Sequence, residues 1–456
     1  MRQAIQPHRF PAFCGVLVGG STLLQAPLSA IIELLLRLFS ISQQPSTHLL
    51  CRRLARFIAA LISASCSFCL LNKRPSRTQS QVQTAKSQPA CHLDFIQPGP
   101  FDDPPEPVSL EVDDATLDAK SLFRTDLAGR TMDLTLFAVI RALDITISNI
   151  WDRCPPKLCS KLRWVPRAAP PTLFCLSAAT IMHAWFYSPS RLPQTYNRWI
   201  SAAAELDQRL VLALRHARYG TWVYGKETGM APLLGSMCRD YGLPEVYGDP
   251  AKTIPVPCEL VHMGKGKSCE KHALWRFWRG WIFAAKMYGP LQLIVLARHA
   301  RKQRRPGQFL RLRLPTSLYL QSLVDMAHNS AFLGAFISFF YYGVCLSRTR
   351  LGPKVFSSQT VTPQMWDSGL CVLAGSLMCG LSIFLEQQRK RLEILLFVLP
   401  RAAATWFPRR YLPEHRWKEH LAFTLSAALV LTTAQENPRR VMGVLGNVLG
   451  RVMRMD

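Results

Sequence analysis

The chain has 456 residues, only 18% of them charged, and its 55 Lys and Arg outnumber 29 Asp and Glu for a formal charge of +26. Ordinary soluble domains carry about 25% charged residues, so a string of such domains is excluded. The cationic excess lies between and beside apolar blocks, with no zinc-finger, RNP or basic-zipper pattern, which points to an anionic membrane surface and away from nucleic acid.

The first 32 residues contain no acid, and Arg2, His8 and Arg9 precede an apolar run over residues 11–32. That run is too long for a cleaved leader and has no clear cleavage site, which predicts a retained span. Spans are predicted at 13–32, 57–71, 173–187, 330–346, 370–385 and 421–433, with a weaker one at 281–296 that carries Lys286 and Pro290. Three further segments are amphipathic: 134–150, 392–406 and 441–452. The second contains Glu393, Pro400 and Arg401 and is expected to span under cover of protein neighbours. The charge rule opposes this, because Arg409 and Arg410 would then lie across the membrane from Arg389, Lys390 and Arg391.

Two polar regions separate these blocks. Residues 73–130 run from a Ser/Gln/Lys-rich stretch through prolines into Glu111, Asp113 and Asp114, the composition of a disordered linker. Residues 188–271 hold Tyr196, Trp199, Trp222, Tyr224, Tyr241 and Tyr247 among many Gly and Pro, which predicts a compact, loop-rich extramembrane module opening with an amphipathic helix over 201–218. The expected order is therefore amino-terminal membrane helices (1–72), linker (73–130), membrane helices (131–187), module (188–271) and a carboxy-terminal membrane bundle (272–456). Arg298, Arg301, Lys302, Arg304, Arg305, Arg311 and Arg313 form an acid-free loop that marks the cytosolic or matrix side.

Motifs for chemistry are incomplete. Gly264-Lys265-Gly266-Lys267-Ser268 resembles a phosphate loop, but Val261 stands where another Gly is required, so a surface turn is expected. Cys258, His262, Cys269 and His272 offer zinc ligand types at spacings that fit no standard finger, leaving zinc, a disulfide or packed thiols as alternatives. Cys66 and Cys69 sit inside an apolar span and are expected to pack, and the 14 cysteines show no disulfide framework. His183 lies within a span, where it serves function or packing. With no nucleophile elbow, zincin or dinucleotide fingerprint, no catalytic, cofactor-binding or metal residue is assigned and no enzyme is expected. Small residues four apart recur at Gly15 and Gly19, at Ser330, Gly334 and Ser338, and at Ser376 and Gly380, which predicts close helix crossings. Short similar stretches at 16–20 and 372–376 suggest two related halves, 13–71 and 368–433.

Several segments together carry a family resemblance. They are Pro257-Cys258-Glu259-Leu260-Val261-His262 with Ser268-Cys269, residues 329–350 with Ser330-Ala331-Phe332-Leu333-Gly334, and residues 374–406 with Arg391-Leu392-Glu393 and Leu399-Pro400-Arg401-Ala402. Residues 129–137, Tyr196-Asn197-Arg198-Trp199-Ile200 and 235–241 add to it. Over residues 130–435 the chain resembles fungal members of the transmembrane protein 135 family, whose spans look distantly like the mitochondrial inner-membrane Tim translocase group. The resemblance implies a peroxisomal or mitochondrial membrane protein linked to lipid homeostasis, with no catalytic residue to carry over.

The expectation is thus an all-α multi-pass transmembrane helical bundle of six to eight spans with a loop-rich extramembrane module. Its partners are the lipid bilayer, anionic lipids included, and other membrane proteins, with no cofactor. A transporter or translocation component is the alternative, and it calls for Lys286, His183 and Arg401 to line one polar cavity.

Overall fold

The computed structural model describes residues 10–38, 45–72, 100–104, 129–302, 316–357, 359–409 and 411–453. Among them every regular element is helical. Six helices are long and apolar enough to cross a membrane: Phe10–Leu36, Leu49–Asn72, Met132–Asp152, Cys269–His299, Thr316–Val355 and Pro363–Leu385. The chain is an all-α, multi-pass membrane protein.

In chain order, α1 (Phe10–Leu23) and α2 (Gln25–Leu38) come first. They break at Leu24, where Pro27 has no N–H to give to the Leu23 carbonyl. Next are α3 (Pro45–Asn72), α4 (Met132–Asp152) and α5 (Val165–Tyr187). Short helices α6 (Gln194–Ala204), α7 (Gln208–Tyr219), α8 (Ala231–Asp240) and α9 (Cys258–Val261) belong to the loop-rich module. The two longest, α10 (Cys269–Lys302) and α11 (Thr316–Cys345), follow it, and then come α12 (Cys371–Gly380), α13 (Gln388–Ala404), α14 (Arg416–Glu436) and α15 (Gly443–Met453).

The spans are partly redistributed from the sequence expectation. Residues 134–150, expected to be only amphipathic, form a helix of 21 residues apolar enough to cross. Residues 281–296 lie inside a crossing helix, with Lys286 exposed on its surface. Residues 173–187 and 421–433 are helical but fall outside the six, diluted by Pro166, Pro170 and Pro171 in α5 and by Arg416, Lys418, Glu419 and Glu436 in α14. Residues 392–406 fall largely in α13, whose 17 residues are fewer than the roughly 20 of a crossing. Arg304, Arg305, Arg311 and Arg313 lie outside the described residues, as does nearly all of 73–130.

The described residues fall into two compact units. One gathers the described residues of 1–92, 109–165 and 399–456, the other those of 93–108 and 166–398. Residues 13–71 lie in one unit, while 368–433 are divided between the two.

In the first unit α3 packs against α1 and α14, and α14 also against α4. Ala55, Ala59, Ala60 and Ala64 form a fully covered stripe on α3, and Ala427 and Ala428 are its counterparts on α14. Small side chains let the backbones approach, which matters because lipid competes equally for apolar surface. Phe68 fills the remaining space, its ring 5.5 Å from that of Phe423. Among the described residues of this unit one acid is buried: Glu419 accepts hydrogen bonds from Thr131 at 2.5 Å, from Thr135 at 3.0 Å and from the Tyr411 hydroxyl.

In the second unit the small-residue face of α11 performs as expected. A Cβ on Gly334 would stand 2.8 Å from the Phe277 carbonyl, and one on Gly280 would stand 3.1 Å from the Gly334 Cα, so α10 and α11 cross with their backbones in contact. Ser338 donates to the Ala273 carbonyl at 2.8 Å across the same crossing. A Cβ on Gly375 would meet the Phe340 carbonyl at 2.7 Å, and one on Gly380 the Cys175 Cα at 2.5 Å. Gly15 and Gly19 do not take part, having nothing within 4 Å; Gly20, one position on, sits against Ser63 instead.

Candidate functional site

The module has its own core. Leu210, Ala213 and Ala217 of α7, Leu233, Leu234 and Met237 of α8, and Trp222 and Leu260 pack together, almost wholly buried. Asp207 caps α7 by accepting the Arg209 backbone N–H at 2.9 Å, and Gly220 ends the helix in the left-handed region at φ 80°. Asp207 also holds Arg209 through two side-chain bonds. Burial pushes its carboxyl up, but Arg209 and Tyr241 outweigh that and leave it below its ordinary value.

Polar contacts stitch this core to the long helices of the same unit. Arg276 of α10 donates to the Ala204 carbonyl at 3.0 Å, and the Tyr341 hydroxyl of α11 donates to the same oxygen at 3.0 Å. Gln364 donates to the Trp222 carbonyl at 2.8 Å, and Ser368 to the Ala217 carbonyl at 2.9 Å.

Where the module meets the ends of α10 and α11, four soft donors converge. The Sγ atoms of Cys258, Cys269 and Cys345 and a ring nitrogen of His262 all lie within 4.8 Å of one another. Local sequence explains three of them. Pro257 precedes α9, whose single turn carries Cys258 and leads directly to His262. The chain then reverses through Met263, Gly264 and Gly266, at φ 55°, 71° and 95°, and enters α10 at Cys269. The run that looked like a phosphate loop is therefore the turn that returns the chain to this cluster.

Histidine chemistry at the cluster is fixed by one carbonyl. His262 Nδ1 lies 2.8 Å from the Gly266 oxygen, which can only accept, so Nδ1 carries the proton. In the neutral ring Nε2 is then the lone-pair nitrogen, and it faces Cys345 Sγ at 3.3 Å. His272, expected among the ligand types, is not in this group. Its ring stacks on His262 with centroids 4.4 Å apart and planes at 15°, and its Nε2 accepts from Arg276 at 3.4 Å. Cys345 takes the fourth place. It lies at the end of α11, 76 positions beyond Cys269 (345 − 269), and no local spacing could have revealed it.

Just beyond Cys345 the helix widens into a π-turn, Leu346–Arg350, which turns Arg348 inward. Arg348 makes a two-pronged pair with Asp367 at 2.5 and 2.8 Å, both side chains buried, and donates to the Val256 carbonyl at 3.1 Å. Tyr224 donates to the same carboxylate at 2.5 Å. The Cys345 hydrogen bond, followed by the charge of Arg348, holds the Cys258 thiol below its ordinary value against the opposing effect of burial.

Beside the ion pair is a cavity of about 50 Å³ lined mainly by apolar groups, among them Phe186, Leu210, Trp222, Val261 and Phe340. A single water needs about 10–15 Å³ of such space, so the cavity as it stands has room for a few waters or small groups. Lys286 and His183 are not among its lining residues; Lys286 is exposed and the His183 ring packs 5.0 Å from that of Tyr187. Arg401 belongs to the other unit. Cys66 and Cys69 are exposed rather than packed.

No family model, no curated protein and no solved structure matches this chain.

Proposed function

We propose that the protein is a non-enzymatic, multi-pass organelle membrane protein acting in peroxisomal or mitochondrial membrane and lipid homeostasis, as its resemblance to the transmembrane protein 135 family implies. The observation that carries the membrane part is the set of six apolar helices. A structural rather than catalytic role is supported by how the main buried charges are used. Glu419 is held by three hydroxyls, Asp367 by Arg348 and Tyr224, and Arg276 by backbone carbonyls. Each joins one helix or loop to another within its unit.

The test follows the tagged full chain through organelle fractionation and alkaline carbonate extraction. Retention in the membrane pellet of peroxisomes or mitochondria is the expected result, and release into the supernatant overturns the membrane assignment. Deleting the gene should shift the phospholipid or fatty-acyl profile of that organelle, restored by re-expression. An unchanged profile removes the lipid role while leaving the membrane assignment standing.

A further inference from the structure

We infer that Cys258, His262, Cys269 and Cys345 form a structural zinc site that fastens the loop-rich module to the end of a membrane helix. The donor set is three thiolates and one imidazole, a combination that suits Zn²⁺. Tetrahedral zinc with Zn–S of about 2.3 Å and Zn–N of about 2.0 Å needs donors roughly 3.5–3.8 Å apart. The four donor atoms already lie within 4.8 Å, and the His262 to Cys345 separation is 3.3 Å, so closure asks for at most about 1 Å of adjustment.

Three further features separate this cluster from thiols that merely pack. The Gly266 carbonyl fixes the His262 tautomer with Nε2 toward the sulfurs, the outer-shell hydrogen bond that metal-bound histidines use. A disulfide would account for only two of the three sulfurs and leave the third beside it with the imidazole. His262, Cys269 and Cys345 are buried and Cys258 is partly so, and four protein donors fill a tetrahedron with no position left for water. That makes the site structural rather than hydrolytic.

Placement gives the metal its role. Three ligands come from one short stretch at the module's end and the fourth from the terminus of α11, so the ion would cross-link positions far apart in sequence. Zinc binds thiolates, so each of the three cysteines that is a neutral thiol in the metal-free site releases one proton to solvent as the metal binds. No redox partner is involved.

The experiment measures metal in the full chain purified in detergent without chelator, by inductively coupled plasma mass spectrometry, alongside cobalt substitution. One zinc per chain is expected, and Co²⁺ exchanged into the wild type should give the intense visible bands of a tetrahedral thiolate site with sulfur-to-cobalt charge transfer. Cys258→Ser, Cys269→Ser and Cys345→Ser should each lower zinc to near zero, whereas His272→Asn and Cys238→Ser should retain it. Cys345→Ser is the discriminating variant, since retention of full zinc there overturns the assignment. Because variants can misfold, the wild type alone also decides. Less than a tenth of a zinc per chain, no cobalt spectrum, and a disulfide or three free thiols by mass spectrometry would refute the site.

Discussion

The two units hold their helices together by different means. The amino- and carboxy-terminal unit relies on alanine stripes and a lone buried acid, Glu419, satisfied by hydroxyls. The central unit relies on glycine crossings and, beside Arg276 held by carbonyls, on a buried charge with a buried counter-charge, Arg348 and Asp367. A lone acid held by neutral donors can be replaced by a neutral acceptor at small cost. A buried pair cannot be halved, because the surviving ion is left without compensation.

The strongest test of this contrast is Asp367→Ala, expected to cost about 3–5 kcal/mol by leaving Arg348 buried and unpaired. Thermal melting in detergent measures it, and the double change Arg348→Met with Asp367→Leu should recover most of the loss. Next in size is Gly334→Leu, which forces a side chain into the Phe277 backbone and should cost about 1–3 kcal/mol or more. The same change at Gly19, which has open space around it, should stay within about 0.5 kcal/mol. Glu419→Gln keeps an acceptor for Thr131 and Thr135 and should cost about 1 kcal/mol, less than Glu419→Leu, which strands the hydroxyls. Equal effects at Asp367 and Glu419 would erase the distinction between the units.

The smallest effect is one of pH in the module. His216 is fully buried, with Nε2 donating to the Asp102 carbonyl at 3.0 Å and Nδ1 beside the Thr221 hydroxyl at 2.7 Å. Burial lowers its proton affinity below the ordinary imidazole value. The unfolded chain therefore binds the proton more readily, and stability is complete at neutral pH and declines as pH falls below about 6.5. Asp207, also depressed, adds to the loss at still lower pH, since its contribution is present above the ordinary carboxylate value and fades below it. Melting temperatures of the wild type and of His216→Gln from pH 7.5 to 5.5 should converge toward the acid end; parallel curves would remove His216 from the effect.

Helicity and the small-residue face at Ser330, Gly334 and Ser338 were legible because both depend on spacing within one helix. The redistribution of spans was not. Whether residues 134–150 cross or lie flat turns on two charges inside the stretch, Arg141 and Asp144, and Pro166, Pro170 and Pro171 dilute α5 without preventing its helix. At the cysteine cluster the local half was readable: Cys258, His262 and Cys269 bracket a tight turn. His272 looked equivalent from its spacing, but its position on the first turn of α10 stacks it on the His262 ring, outside the donor group. Cys345 sits in an apolar run like many other cysteines, and only the fold brings it to the others. The assignment of Arg348 to Asp367 was hidden for the same reason.

The alanine-packed unit has a consequence for synthesis. Its hydrogen bond between Ser65 and His420 joins residues 355 positions apart, and α3 is made long before α14 exists. At about 5–20 residues per second, α3 waits roughly 20–70 s for that partner. Residues 166–398 are continuous in the chain, so the central unit has all its helices while the ribosome is still making the last ones of the other. During that interval α3 has α1 to pack against, but Ala60 and Ala64 still lack Ala428 and Ala427 of α14, beside which they are buried in the finished unit.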